Sequence, residues 1–405
     1  MFINDSIHGL MKLSELQKDL LVLPEVQRLQ WIRQLGLSFL CYPGAVHTRI
    51  SHSLGVSYLA GRIARHLDLP QKDIELVEAA GLLHDIGHTP FSHTLESMLE
   101  KGHMEISREM VTGARVIPME GAGKIPEILE KHQLDPVRIG ELITNRYRGS
   151  EPLQQIIFGD FDADQLDYLV RDSYFCGIAH GRIDIYRIIY TMALSDDGSR
   201  LFLREKGIEA IEEMLVAREH MYSSVYTHKT SRSAELMLLS AVRKAGARLG
   251  AFDSMVDAQL FSALENATPL GRDTVSRLLT RRLFKMAYAL YNQPDLRSRL
   301  QAVSQKYSES DLEKIIAERA GISADQVIVD MPVEALKLGE PRLKKINITV
   351  LTKEMQEKPL QEVSTLIRSL LEKEGTNVIL GVYCVPEKRK EVREAALEVL
   401  KSDSV

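Results

Sequence analysis

The chain has 405 residues, 44% apolar and 26% charged, which allows a sizeable core and excludes a disordered or fibrous chain. Lys and Arg total 51 against 56 Asp and Glu, a formal charge of −5, so the broad basic face of a nucleic-acid binder is not expected. Three scattered cysteines, Cys41, Cys176 and Cys384, suggest neither a disulfide framework nor a paired-thiol metal site and fit a reducing cytosol.

The first residues (MFINDSIHGLMKLSEL) lack the basic head and long apolar stretch of an export signal. No run approaches the roughly 18 apolar residues of a membrane span, so a cytoplasmic protein without membrane association is expected. From Leu20 to about Ala320 the apolar spacing is mostly helical. Residues 71–84 place Ile74, Val77 and the Leu82/Leu83 pair on one helical face ending at His84-Asp85, and 207–223 and 233–249 show the same period. Gly and Pro mark connections at 43–44, 87–90 and along 112–126. After about residue 322 the segments 326–332, 346–352 and 377–385 are rich in β-branched residues and alternate with charged helical stretches at 359–374 and 386–402. The expected architecture is mainly α: a helical domain over 1–322 carrying the chemistry within 45–175, and a smaller α+β C-terminal region over 323–405.

Histidine is concentrated where the chemistry is expected. Seven of the 12 (His47, His52, His66, His84, His88, His93, His103) fall between 47 and 103. Three segments stand out: G-A-V-H-T-R-I-S-H-S-L-G-V at 44–56, A-G-L-L-H-D-I-G-H-T-P-F-S-H at 80–93, and D-F-D-A-D-Q-L-D-Y-L-V-R-D at 160–172. Adjacent side chains at a helix end diverge by about 100°, so His84 and Asp85 can straddle one ion. His52 and Asp164, from separate helices, could complete a two-nitrogen, two-oxygen set, which would suit Mn, Fe, Ni, Zn or Mg and stay open to a phosphate oxygen. Asp160, Asp162 and Asp164 mimic the start of a calcium loop, but Gln165 and Arg171 stand where that loop needs Gly and Glu. As a helix, Asp164, Tyr168 and Asp172 share one face; Arg218, Tyr222 and Tyr226 form a second stripe at the same spacing.

These three segments resemble the HD-domain phosphohydrolases, together with N-D-S-I-H-G at 4–9, Q-R-L-Q-W-I-R-Q-L-G at 27–36, R-L-F-L-R-E-K at 200–206 and Y-T-H-K at 226–229. More narrowly, the chain is similar to the deoxynucleoside triphosphate (dNTP) triphosphohydrolases related to the SAM-and-HD-domain dNTPase, without the SAM domain. The resemblance implies His52, His84, Asp85 and Asp164 as ligands of a divalent metal ion. It also implies His93 and His103 beside the scissile phosphate; one of these two imidazoles would give the leaving oxygen its proton, His93 being the favoured donor, with His103 and Glu105 relaying or orienting. Arg49 and Arg218 would meet phosphate; Gln34, Leu35 and Asp172 would hold the sugar; Tyr168 and Tyr226 would crowd the 2′ position. Tyr222 stands where some relatives have His. The implied reaction releases a deoxynucleoside and tripolyphosphate from a dNTP, in a homo-oligomer, dimer or tetramer. Two departures matter: Met104 follows His103, so the nearby acid is Glu105, and Gln165 replaces a phosphate-binding Lys after Asp164. They leave two alternatives: an HD phosphohydrolase acting on nucleoside monophosphates or another phosphate ester, and a nucleotide-binding regulator with little turnover.

Overall fold

The computed structural model describes residues 1–291, 300, 303–331, 346–372 and 378–402. The chain forms two compact units. The first is built from Met1–Tyr226, Ala251–Leu260 and Ile346–Leu370; the second from Thr227–Gly250, Phe261–Lys345 and Leu371–Val405.

In the first unit, strands β1 (Phe2–Asp5) and β2 (Gly9–Lys12) form an antiparallel hairpin that registers Phe2 with Lys12. Helix α1 (Arg49–His66) starts after Thr48, whose extended backbone ends the preceding loop, and buries Val56, Leu59, Ala60 and Ile63. It packs on α2 (Gln71–Leu83), which enters from Pro70, buries Val77, Leu82 and Leu83, and ends at His84, as the apolar spacing predicts. Helix α3 (His103–Val111) follows, and α4 (Ala163–Cys176) crosses α1. Asp162 caps α4 by accepting from the Gln165 amide at 2.7 Å, and Gly177 closes it at φ 67°. Helix α5 (Ile208–Met221) runs into a π-wound turn, Tyr222–Tyr226.

The β-rich segments after residue 322 divide between two sheets. Strands β3 (Met192–Leu194) and β4 (Leu201–Arg204) pair antiparallel, and β7 (Thr349–Leu351) adds parallel to β4, with β8 (Glu357–Pro359) outside it. In the second unit, β5 (Lys285–Tyr291) and β6 (Val327–Asp330) flank β9 (Val378–Cys384), both antiparallel to it. Their core combines Val327, Val329, Leu380 and Val382 with Leu312, Ile316, Val392 and Ala396 from helices Glu309–Ala320 and Arg389–Ser402. The fold is therefore mainly helical with small sheets. Among the described residues, no helix is long and apolar enough to cross a membrane.

Candidate active site

Every candidate site residue named from the sequence lies in the first unit. His52, one turn into α1, is 1% exposed, and its Nε2 lies 2.9 Å from Asp164 Oδ1 and 3.8 Å from Asp85 Oδ2. His84, at the C-terminus of α2, bonds the Gly81 carbonyl through Nδ1 at 2.8 Å. Its Nε2 is buried and, among the described residues, has no hydrogen-bond partner; it lies 3.3 Å from Asp85 Oδ1 and 3.8 Å from Asp164 Oδ1. His52, His84 and Asp85 thus offer ligand atoms mutually within 4.8 Å, and Asp164 faces the same point. Two imidazole nitrogens and two carboxylates with an orphaned lone pair among them fit a divalent cation.

The electrostatics agree with that fit. Burial alone would lower the His52 pKa, but hydrogen bonds to Asp164 and Asp167 outweigh it and push it up to about 10. Burial likewise opposes ionisation of Asp85, yet Arg49, His84 and His88 hold it well below the usual carboxylate range. Asp85 is thereby held as the carboxylate that a cation needs.

Beside this group lies a second one, of His88, His93 and His103. Gly87 lets the HD turn press against α3: a Cβ there would come within 2.3 Å of the His103 carbonyl. His88 Nε2 is 3.2 Å from Asp85 Oδ1, and the His88 ring stacks on His103 at 3.9 Å. Residues 92–98 wind as a 3₁₀ turn, which eclipses positions three apart and brings Glu96 under His93. Glu96 bridges both imidazoles, 2.7 Å from His93 Nδ1 and 2.5 Å from His103 Nδ1. Burial opposes its ionisation, but the hydrogen bonds from His103 and His93 hold the carboxyl well below its usual range. Both contacts use Nδ1; among the described residues neither Nε2 is hydrogen-bonded.

The structure gives Glu105 other partners than the expected His103: in the first turn of α3 it pairs with Arg108 and with Arg146 at 3.1 Å. Arg49, expected at phosphate, is 3% exposed and already bonded to Asp85 Oδ2 at 2.5 Å, Ser92 Oγ at 2.8 Å and the Gln34 carbonyl at 3.4 Å. Asp172 accepts from the Tyr226 hydroxyl at 2.8 Å and lies 2.8 Å from His47 Nε2. Tyr226 stands edge-on to Tyr168 at 6.1 Å and to Tyr222 at 6.4 Å, so the π turn keeps the aromatic pair together despite the broken period. Burial and Asp172 hold the Tyr226 hydroxyl well above its usual pKa, so it stays a donor. Gln34 is buried with Oε1 unpartnered, and Leu35 follows it half-buried. Arg218 is half-buried, with its charge felt by Asp160 and Tyr168, and among the described residues it forms no ion pair.

Four participants carry weak or no sequence signal. Glu96 is three residues after His93, a spacing that speaks only once the 3₁₀ winding is known. Asp167 is fully buried and lies 2.8 Å from His52 Nδ1. His47 meets Asp172 across 125 residues. Asp257, on a segment with no motif, accepts from the Phe91 amide at 2.7 Å and the Arg33 amide at 3.1 Å. It holds Phe91 and Ser92 in left-handed backbone (φ 58° and 57°), just before His93.

The HD domain profile matches residues 49–171, and the profile of the HD associated region matches 183–404, more than half of the chain. The chain belongs to the HD-domain phosphohydrolase family. An uncharacterised protein of Methanocaldococcus jannaschii is 33% identical over 97% of this chain and 81% of its own length. The deoxynucleoside triphosphate triphosphohydrolase SAMHD1 homolog of Dictyostelium discoideum is 30% identical over 65% of this HD-domain chain, which spans 53% of that protein. A crystal structure described as a phosphohydrolase of Bacteroides thetaiotaomicron superposes with a TM-score of 0.72 at 27% identity, covering 95% of this chain and 99% of that one.

Proposed function

We propose that this HD phosphohydrolase hydrolyses dNTPs at the α-phosphorus, releasing deoxynucleoside and tripolyphosphate, with a divalent ion held by His52, His84, Asp85 and Asp164. The observation that carries the reading is the bridge made by His88. By touching Asp85 and stacking on His103, it makes the ligand group and the Glu96-bridged imidazoles one continuous site. An ion held there would supply Lewis-acid charge to the phosphoryl oxygens and lower the pKa of bound water.

The chain's own groups divide the remaining work. His93, 64% exposed and oriented by Glu96 through Nδ1, delivers a proton from Nε2 to the 5′-oxygen, a poor leaving group without it. His103, on the same carboxylate, stabilises the phosphoryl charge. Arg218 supplies a cation for the outer phosphates, while Arg49 acts on Asp85 and the Gln34 segment. Asp172 and Tyr226, with Gln34, Leu35 and Tyr168, form the sugar side, and Tyr222 extends the aromatic stripe. The likeness to the Dictyostelium dNTPase supports this substrate class; a cytoplasmic homo-oligomer is part of the same proposal.

One observation favours a smaller substrate. Gln165 adds no charge, and its amide is engaged with the Gly159 carbonyl at 2.7 Å. A nucleoside monophosphate would need fewer cations. Incubation with each dNTP and with deoxynucleoside monophosphates, plus manganese or magnesium, followed by chromatography of the phosphorus product, tests both. Tripolyphosphate is expected; orthophosphate or pyrophosphate alone overturns the triphosphohydrolase reading.

A further inference from the structure

The N-terminal hairpin carries the N-D-S-I-H-G string, to which the proposed chemistry assigns no role. We propose that this hairpin tunes the metal site: Asp5 and His8, through Arg171 and Asp167, set the orientation of His52 and hence the affinity for the ion. The inference rests on the metal reading above.

Asp167 is fully buried, and all four of its acceptor positions are used. Oδ1 meets His8 Nε2 at 2.6 Å and Arg171 Nη2 at 2.9 Å. Oδ2 meets His52 Nδ1 and Arg171 Nε, both at 2.8 Å. A carboxylate has no proton to give, so His52 Nδ1 must carry the hydrogen, and Nε2 is the atom turned toward Asp164 and Asp85. The outer side of Arg171 is gripped by Asp5, at 2.8 Å to Nη1 and 3.1 Å to Nη2. Asp5 Oδ1 also accepts from the amides of Ile7 and His8, both at 2.9 Å, and so shapes the turn that presents His8.

Gly55 on α1 shows how tightly the Asp167 carboxylate is seated. A Cβ at that position would lie 1.9 Å from Asp167 Oδ1 and 2.6 Å from Arg171 Nη2. The relay therefore runs from a surface hairpin to a ligand nitrogen without a gap: Asp5 to Arg171 to Asp167 to His52, with His8 closing the second oxygen. Groups that orient a ligating histidine typically change metal affinity 10- to 100-fold when removed. Coupling is reciprocal, so the ion must also order the hairpin.

The test uses the full chain stripped of metal. Manganese affinity is measured by competition with a chelating dye for wild type, His8→Gln and Asp5→Asn, beside the melting temperature of each metal-free protein. We expect both variants to bind manganese about 10- to 100-fold more weakly. Affinity within about twofold of wild type, whatever the melting temperature does, overturns the inference. Hydrogen exchange on the wild type gives a variant-free check: manganese should slow the amides of residues 2–12, and unchanged exchange there also overturns it. If His52→Ala binds manganese as well as wild type, the metal reading itself fails rather than the role of the hairpin.

Discussion

Two glutamates near the same histidine behave differently because of one turn of backbone. Glu96 sits on a 3₁₀ turn, where position i+3 eclipses position i, and so reaches the imidazoles of both His93 and His103. Glu105 sits in the first turn of an α-helix and finds arginines instead. Glu96→Gln should lower turnover on the order of 10- to 100-fold, because the amide cannot accept from both Nδ1–H groups at once. Glu105→Gln should leave turnover within about twofold of wild type, its contacts being partly exposed surface pairs. Steady-state hydrolysis of the preferred nucleotide by both variants checks this; equal losses would return Glu105 to the site.

The short segment Ala251–Leu260 acts as a strap across the loop that carries His88 and His93. Buried Arg28 donates to the carbonyls of His88 and Asp253, both at 2.6 Å, and of Ser254 at 3.0 Å. Asp257 ties the Phe91 and Arg33 amides together. Asp257→Asn leaves only one acceptor for two donors, so turnover should fall on the order of tenfold through a misplaced His93, with metal content unchanged. Burial raises the Asp257 pKa from 3.8 to about 6, against the lowering effect of the Phe91 and Arg33 amides and of the Arg33 and Arg28 charges. A carboxyl that holds its proton more tightly when folded stabilises the fold fully below pH 3.8 and loses that contribution as pH rises through about 6. The change amounts to roughly 3 kcal/mol. Asparagine does not titrate, so the stability of Asp257→Asn relative to wild type should improve between pH 4 and pH 7. Urea unfolding at the two pH values measures it, and a flat difference would show that Asp257 titrates normally.

At the scale of the molecule, the four proposed ligands link α1, the end of α2 and α4, elements of one unit. An ion that binds only the folded state stabilises it by about 2.7 kcal/mol at a hundredfold excess over its Kd. Chelation should therefore lower the melting temperature by several degrees, and His84→Ala with Asp85→Ala should melt identically with and without chelator. Scanning calorimetry checks both; a chelator-insensitive wild type would contradict the ligand set.

The sequence by itself determined the helical class, the helical run over 71–84 and the β-branched segments after 322, and it proposed the four ligands. These are written in local periodicity and in motif strings, and short-range physics is enough to read them. The composition change near 322 is real, yet the strands beyond it divide between sheets: Val350 pairs with Leu203, and Val382 pairs with Tyr288 and Val329. Only the tertiary structure decided that division, the choice of Glu96 over Glu105, the His47–Asp172 pair, and the anchoring of His52 and Phe91 by Asp167 and Asp257. Each depends on which donor and acceptor become neighbours after long loops close. Many residues compete for such a partnership at little difference in loop-closure cost, so spacing along the chain does not encode it.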